Sequence, residues 1–177
     1  TVVGGYRADA IDTAGIRLVI NERYERTGEL ASLACAIDAV ESDTVIAYGD
    51  LLFRSYVLRD LVESDAELAV VVDSSPTGEN NRTVRDFACC SRRDDRGLFG
   101  TPVLLERVFS AVDAANGAAD GRWIGMLKAS RAGLTRLKEV LGELRARPDF
   151  DTLDVPHLLN ALIAQGAAIE VQYVHGH

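Results

Sequence analysis

The chain alternates. Short apolar runs that read as strands are separated by longer stretches whose apolar residues recur every three or four positions. The strand-like runs are IRLVI (16–20), TVIAY (44–48) and ELAVVVD (67–73). Between the first two lies GELASLACAIDAV, where Leu30, Leu33, Ala34, Ile37 and Val40 share a helical face. Thr27 is placed to cap that helix, and Glu29 in its first turn suits the positive end of its dipole. Between the second and third lies YVLRDLVES, with Val57, Leu58, Leu61 and Val62 on one face. Connections of this length carry a chain back over a sheet, so the strands come out parallel. The middle runs are apolar at odd and even positions alike, as expected of strands covered on both faces. The alternation therefore predicts an α/β domain with a parallel sheet.

Beyond residue 73 the pattern loosens. TVV at the start reads as the end of a strand, followed by a turn around ADAID. SSPTGENNR is a loop of turn formers. TVRDFACC and TPVLLERVF form either a hairpin or a strand and a helix, and periodicity alone does not separate these. WIGMLKAS (123–130) is a further strand. RAGLTRLKEVLGELRAR is an amphipathic helix with Leu134, Leu137, Val140, Leu141 and Leu144 on one stripe, stopped by Pro148. VPHLLNALIAQG is another, with Pro156 in its first turn and Gly166 as its stop. AAIEVQYV is a last strand. No repeat divides the chain, and residues 1–177 are expected to be one domain.

Composition excludes several function classes. At 177 residues the chain can bury a core without disulfides or metals. Its net charge of -8, with no Lys/Arg-rich block, argues against a nucleic-acid partner. No apolar run reaches the length of a membrane span, and no signal-peptide pattern opens the chain. Cys35, Cys89 and Cys90 offer no spaced framework, and the adjacent pair is poorly placed for a disulfide, so a reducing, cytoplasmic setting is expected. Thr1 and His177 each adjoin a strand-like run, so the chain is expected to be a fragment of a longer protein.

Three constellations carry chemistry. In VIAYGDLLF, Asp50 follows a strand that is expected to be central. Ligands of open parallel sheets gather beyond such strand ends, where a carboxylate can bind Mg²⁺. A helix cap is the plain alternative for Asp50. In NERYERTGELASL, Thr27 and Gly28 precede a helix whose N–H groups offer an anion site, with an ordinary capped helix as the alternative. In VRDFACCSRRDDRG, Arg85, Arg92, Arg93 and Arg96 could clamp an anion and Asp86 could meet an amine or a metal, although such charge runs are more often solvated turns. Arg122 and Trp123 stand just before a strand, where a tryptophan is commonly core. His157, His175 and His177 lack the spacing of a zinc site, and no Walker A loop or G-x-S-x-G elbow is present.

Taken in order, NERYERTGELASL, VIAYGDLLF, LAVVVDSS and GRWIGMLKAS resemble the nucleotidyltransferases of the sugar-phosphate and phosphocholine type. The likeness is greatest to the cytidylyltransferase domain fused to phosphoenolpyruvate phosphomutase in phosphonate biosynthesis. The resemblance implies a Rossmann-like, three-layer fold around a mixed, mostly parallel sheet. It implies Mg²⁺-dependent transfer of CMP from CTP to an aminoethyl- or hydroxyethylphosphonate, with release of pyrophosphate. The alternatives are a sugar-1-phosphate nucleotidyltransferase and a non-catalytic binding domain attached to a phosphomutase. By this resemblance Asp50 binds the metal. Tyr24, Thr27, Glu29 and Ser32 flank the nucleotide and acceptor, and Asp86, Arg122 and Trp123 contact the acceptor. The resemblance also implies that the family's first strand and glycine-rich loop precede Thr1, and that a second metal carboxylate follows His177. The 177 residues alone are expected to be inactive.

Overall fold

The structure is a computed structural model and describes residues 1–75, 86–95, 101–109 and 119–176. Val2–Gly4 (β1) and Leu18–Ile20 (β2) pair in parallel as a two-stranded sheet. Glu29–Ala36 (α1) leads to Thr44–Ala47 (β3), Ser55–Glu63 (α2) and Leu68–Asp73 (β4). Phe87–Cys90 (β5) and Leu105–Phe109 (β6) are antiparallel, so the stretch that periodicity left open is a hairpin-like pair. Gly121–Ala129 (β7), Arg131–Arg145 (α3), Val155–Ala164 (α4) and Glu170–Val174 (β8) complete the described elements.

The large sheet has the order β6-β5-β7-β4-β8, with β3 also paired to β7. Its organising strand is β7. On one edge β7 pairs antiparallel with β4; on the other it pairs antiparallel first with β3 and then with β5. It follows that β3, β4 and β5 point the same way, and β8 joins them through its parallel pairing with β4. By strand direction the sheet is mixed and mostly parallel. The crossover through α2 does align β3 with β4, but β7 lies between them, so these two strands are not neighbours. Nor is β3 central: it pairs with β7 alone among the described strands, and its residues are half-buried or exposed while every residue of β4 is buried.

Helices cover both faces, giving three layers. On one face α1, α3 and α4 pack Leu30, Leu134, Leu137, Leu141, Leu158 and Leu162 against Val70, Val72, Trp123 and Leu127. On the other, Val57 and Leu61 of α2 pack against Ala69, Val71 and Met126. The pattern of α3 matches its sequence stripe residue for residue. In α2, Val62 is 57% exposed rather than buried, because five residues on from Val57 the helix has turned well away from the sheet. The stretch 16–20 is not a buried strand either. Ile20 is 52% exposed, since β1 and β2 stand apart from the large sheet and meet it through α1.

Local chemistry closes the helix ends. The Ser130 hydroxyl accepts from the Gly133 N–H at the start of α3. Asp154 and His157 form a reciprocal capping box at α4. At the end of α2 the cap comes from across the sheet. Buried Lys128 donates its ammonium to the carbonyls of Ser64 and Ala66, where the helix dipole is negative. Lys128→Met should therefore leave two inward carbonyls without partners and cost roughly 2–4 kcal/mol. The check is a lower denaturant midpoint at unchanged slope.

Candidate functional site

The site begins with an irregularity in β7. Val70 opposes Leu127 while Val72 opposes Trp123, so Ile124, Gly125 and Met126 together face Val71. Gly125 takes a φ of 85°, which favours glycine. A β-carbon there would overlap the ring of Tyr48. The Tyr48 N–H donates to the Gly125 carbonyl at 3.1 Å, and the Trp123 ring meets the Tyr48 ring edge-on at 5.4 Å. The Trp123 indole N–H donates to the Met126 carbonyl at 2.9 Å, closing the irregular stretch.

Because β7 bulges here, β3 and β5 lie end to end along its edge with a break between them. β3 pairs with residues 126–129 and β5 with 121–122. The turn Gly49–Asp50 leaves the carboxyl end of β3 on one side of the break. Asp86 enters β5 on the other, with a left-handed φ of 68° and its carbonyl accepting from the Trp123 N–H. The Tyr48 phenol sits among acidic groups: burial pushes its pKa up most, and the charges of Glu29, Asp86, Asp154 and Asp50 push it further. It therefore stays protonated across the physiological range. The charges of Asp50, Glu29 and Asp86, residues far apart in the chain, thus all reach one half-buried tyrosine.

The other sequence candidates are already engaged within the fold. Trp123 is 3% exposed, with its indole N–H already bonded, so it is a core residue supporting Tyr48. Arg122 faces buried Asp73 at 3.9 Å, at the carboxyl end of β4. Tyr24 packs its ring where a side chain on Gly5 would lie and donates its hydroxyl to Glu25. Thr27 and Ser32 both accept from the side-chain amide of Asn21, which is 4% exposed.

The start of α1 differs from the expectation. Its N-cap is Gly28, not Thr27. The Gly28 N–H donates to the Asp151 carbonyl at 2.7 Å, and the Leu30 N–H donates to the Leu153 carbonyl. These are among the groups that a helix end leaves without intrahelical partners, and the protein's own backbone fills them. Arg23 closes the same seam with a two-pronged bond to Asp151. No side chain caps this helix; the backbone of Asp151 and Leu153 occupies the N–H groups of Gly28 and Leu30 that an anion would need.

Only two members of the arginine clamp are among the described residues. Arg92 pairs with Asp95 and Arg93 with Asp120 in a charged surface turn; Arg85 and Arg96 lie outside the described residues. His157 belongs to the α4 cap, His175 meets the Ser74 hydroxyl, and His177 is outside the described residues. Tyr48, Gly125 and Asp154 were missed by sequence reasoning. Gly125 had left a signal, since a lone glycine inside an apolar strand marks a bulge or a close approach.

No family model matches the chain. Over 85 residues it is 29% identical to the CTP:phosphoglutamine cytidylyltransferase of Campylobacter jejuni, an overlap of 42% of this chain and 34% of that protein. The inositol-1-phosphate CTP transferase of T. maritima superposes with a TM-score of 0.67 at 13% identity, over 98% of this chain and 65% of that one. The fold is that of the nucleotidyltransferases. The CTP:phosphocholine cytidylyltransferase of Streptococcus pneumoniae shares it, with a TM-score of 0.55 at 12% identity over 92% of this chain and 61% of that one. The nucleotidyltransferase-fold chain thus spans about two thirds or less of the proteins it matches.

Asp50 and Asp86 offer hard oxygen donors at this break. Among the described residues, no three His, Cys, Asp or Glu are gathered closely enough to hold a metal by themselves. A Mg²⁺ ion suits such a place, since it binds through one or two carboxylates and completes its shell with water and phosphate oxygens.

Proposed function

We propose that the full encoded protein is a Mg²⁺-dependent cytidylyltransferase that moves CMP from CTP to a small phosphonate, of the aminoethyl or hydroxyethyl kind. One observation carries the reading most: the break between β3 and β5 holds Asp50 at a strand's carboxyl end within a nucleotidyltransferase fold. The partial sequence match to a cytidylyltransferase favours CTP as donor. Fusion to a phosphoenolpyruvate phosphomutase and a cytoplasmic setting belong to the same proposal; that Cys35, Cys89 and Cys90 form no disulfide with one another supports the latter.

In this reading an acceptor oxygen attacks the α-phosphorus, a new P–O bond forms, and the bond to the β-phosphate breaks to release pyrophosphate. Bound Mg²⁺ supplies neutralisation of phosphate charge. Asp50 would hold the metal, with Asp86 at the start of β5 on the other side of the break. Glu29, Tyr24, Thr27 and Ser32, on α1 and the segment before it, would flank the nucleotide and acceptor. Thr27 and Ser32 are held by Asn21, so they present fixed hydroxyls. Arg122, beside Asp73, stands at the neighbouring strand end and would meet the acceptor's anionic group. Trp123 acts from behind, as a wall for Tyr48.

The test is pyrophosphate release by the full encoded protein with CTP and Mg²⁺, offered aminoethyl- and hydroxyethylphosphonate, phosphocholine and sugar 1-phosphates in turn. The proposal expects turnover with a phosphonate. Turnover with sugar 1-phosphates alone would move the assignment to that class. CTP binding without release from any acceptor would sink the enzyme reading and leave a binding domain.

A further inference from the structure

We infer that Tyr48 is a positioning residue for the Asp50 carboxylate, acting through the seat its ring occupies over Gly125. The inference rests on the reading that Asp50 binds Mg²⁺, and adds to it the means by which Asp50 is held.

Asp50 has little to hold it directly. Its side chain is exposed, and a β-carbon on neighbouring Gly49 would meet nothing within 4 Å. Leu52, Phe53 and Arg54 beyond it are exposed as well. Two inward anchors flank it. Leu51 packs against Val57 and Leu61 on the α2 face, and Tyr48 packs into the opposite core. The turn that carries Asp50 is therefore anchored on both faces of the sheet, by Tyr48 before it and Leu51 after it. The Tyr48 anchor is the more specific of the two. Its backbone is bonded to Gly125, its ring fills the space where any other residue at 125 would carry a side chain, and Trp123 closes the seat edge-on. Trp123 is in turn fixed by its bond to the Met126 carbonyl. The bulge in β7, costly in sheet pairing, thus makes a socket for one ring, and that ring sets where β3 releases the chain. A carboxylate that contributes one ligand to a shared metal must be set in place before the metal arrives. Supporting residues of this kind typically change metal affinity by about 10–100-fold when removed.

The experiment measures Mn²⁺ binding by electron paramagnetic resonance in the full encoded protein with CTP present, beside the Mg²⁺ activation constant and the KM for CTP. Tyr48→Phe keeps the ring and should bind Mn²⁺ like the unaltered protein. Tyr48→Leu should weaken Mn²⁺ binding by about tenfold or more and raise the Mg²⁺ requirement in step, with little change in KM for CTP. Tyr48→Met, which keeps apolar volume without a planar ring, serves if the leucine variant does not fold. Unchanged Mn²⁺ binding in the ringless variants overturns the inference, as does an equal loss in Tyr48→Phe. Asp50→Asn separates the two levels. If it binds Mn²⁺ normally, the reading of Asp50 falls and takes this inference with it. If it fails to bind while ringless Tyr48 variants bind normally, only the inference falls.

Discussion

Asp50→Ala is expected to reduce Mg²⁺-dependent pyrophosphate release by about 100-fold or more, because even the outer partners of a metal ligand carry about 10–100-fold. The loss should be in turnover and metal dependence while the fold survives. Asp50 is exposed, and a substitution at such a position usually changes stability by no more than about 0.5 kcal/mol. A thermal melt beside the kinetic assay separates these effects. Turnover that stays unchanged would remove Asp50 from the site. Unchanged melting with lost turnover is the outcome the geometry favours, since this carboxylate caps no described helix and supports no described core residue.

A large stability effect is also expected at Gly28. A β-carbon there would overlap the Leu153 carbonyl oxygen, which is backbone and cannot swing aside. Gly28→Ala should therefore open the seam between residues 23–30 and 151–153. It would strain or break the bonds from Gly28 to Asp151 and from Leu30 to Leu153. Overpacking and lost buried bonds together put the cost at roughly 2–4 kcal/mol. By contrast Arg23→Ala, which removes a largely exposed ion pair in the same seam, should cost about 1 kcal/mol or less. Gly49→Ala is the control, because nothing lies within 4 Å of its missing side chain. Denaturant midpoints for the three variants test the ranking; a Gly28→Ala midpoint equal to that of Gly49→Ala would contradict the seam's importance.

Periodicity is a local property, and it was informative where the structure is local. The stripe of α3, the helical character of α1 and α4, the stops at Pro148 and Gly166, and the strand character of β4, β7 and β8 were all legible. Strand adjacency was not. Helical connections fix the direction of β3 and β4, but the insertion of β7 between them depends on a strand about 50 residues later, which no window of sequence reports. The same limit shaped the site. Asp50, Glu29 and Asp86 were named singly from strand and helix ends and from the family resemblance. The seat of Tyr48, which their charges reach, needed the bulge at Gly125, whose lone glycine marked a break without saying which ring fills it. At Thr27–Gly28 the local signal pointed to available N–H groups. It could not show that residues 151 and 153, more than 100 positions away, would occupy them.

The placement of β7 also has a consequence for synthesis. β4 is buried throughout, and both of its partner strands follow it in the chain. As the polypeptide leaves the ribosome, LAVVVD emerges about 50 residues before β7, a wait on the order of several seconds at ordinary elongation rates. During that interval the strand has neither edge paired, and the face that α3 and α4 will cover is still open. Its flanking charges, Glu67 before it and Asp73 at its end, are then the local guard against premature association.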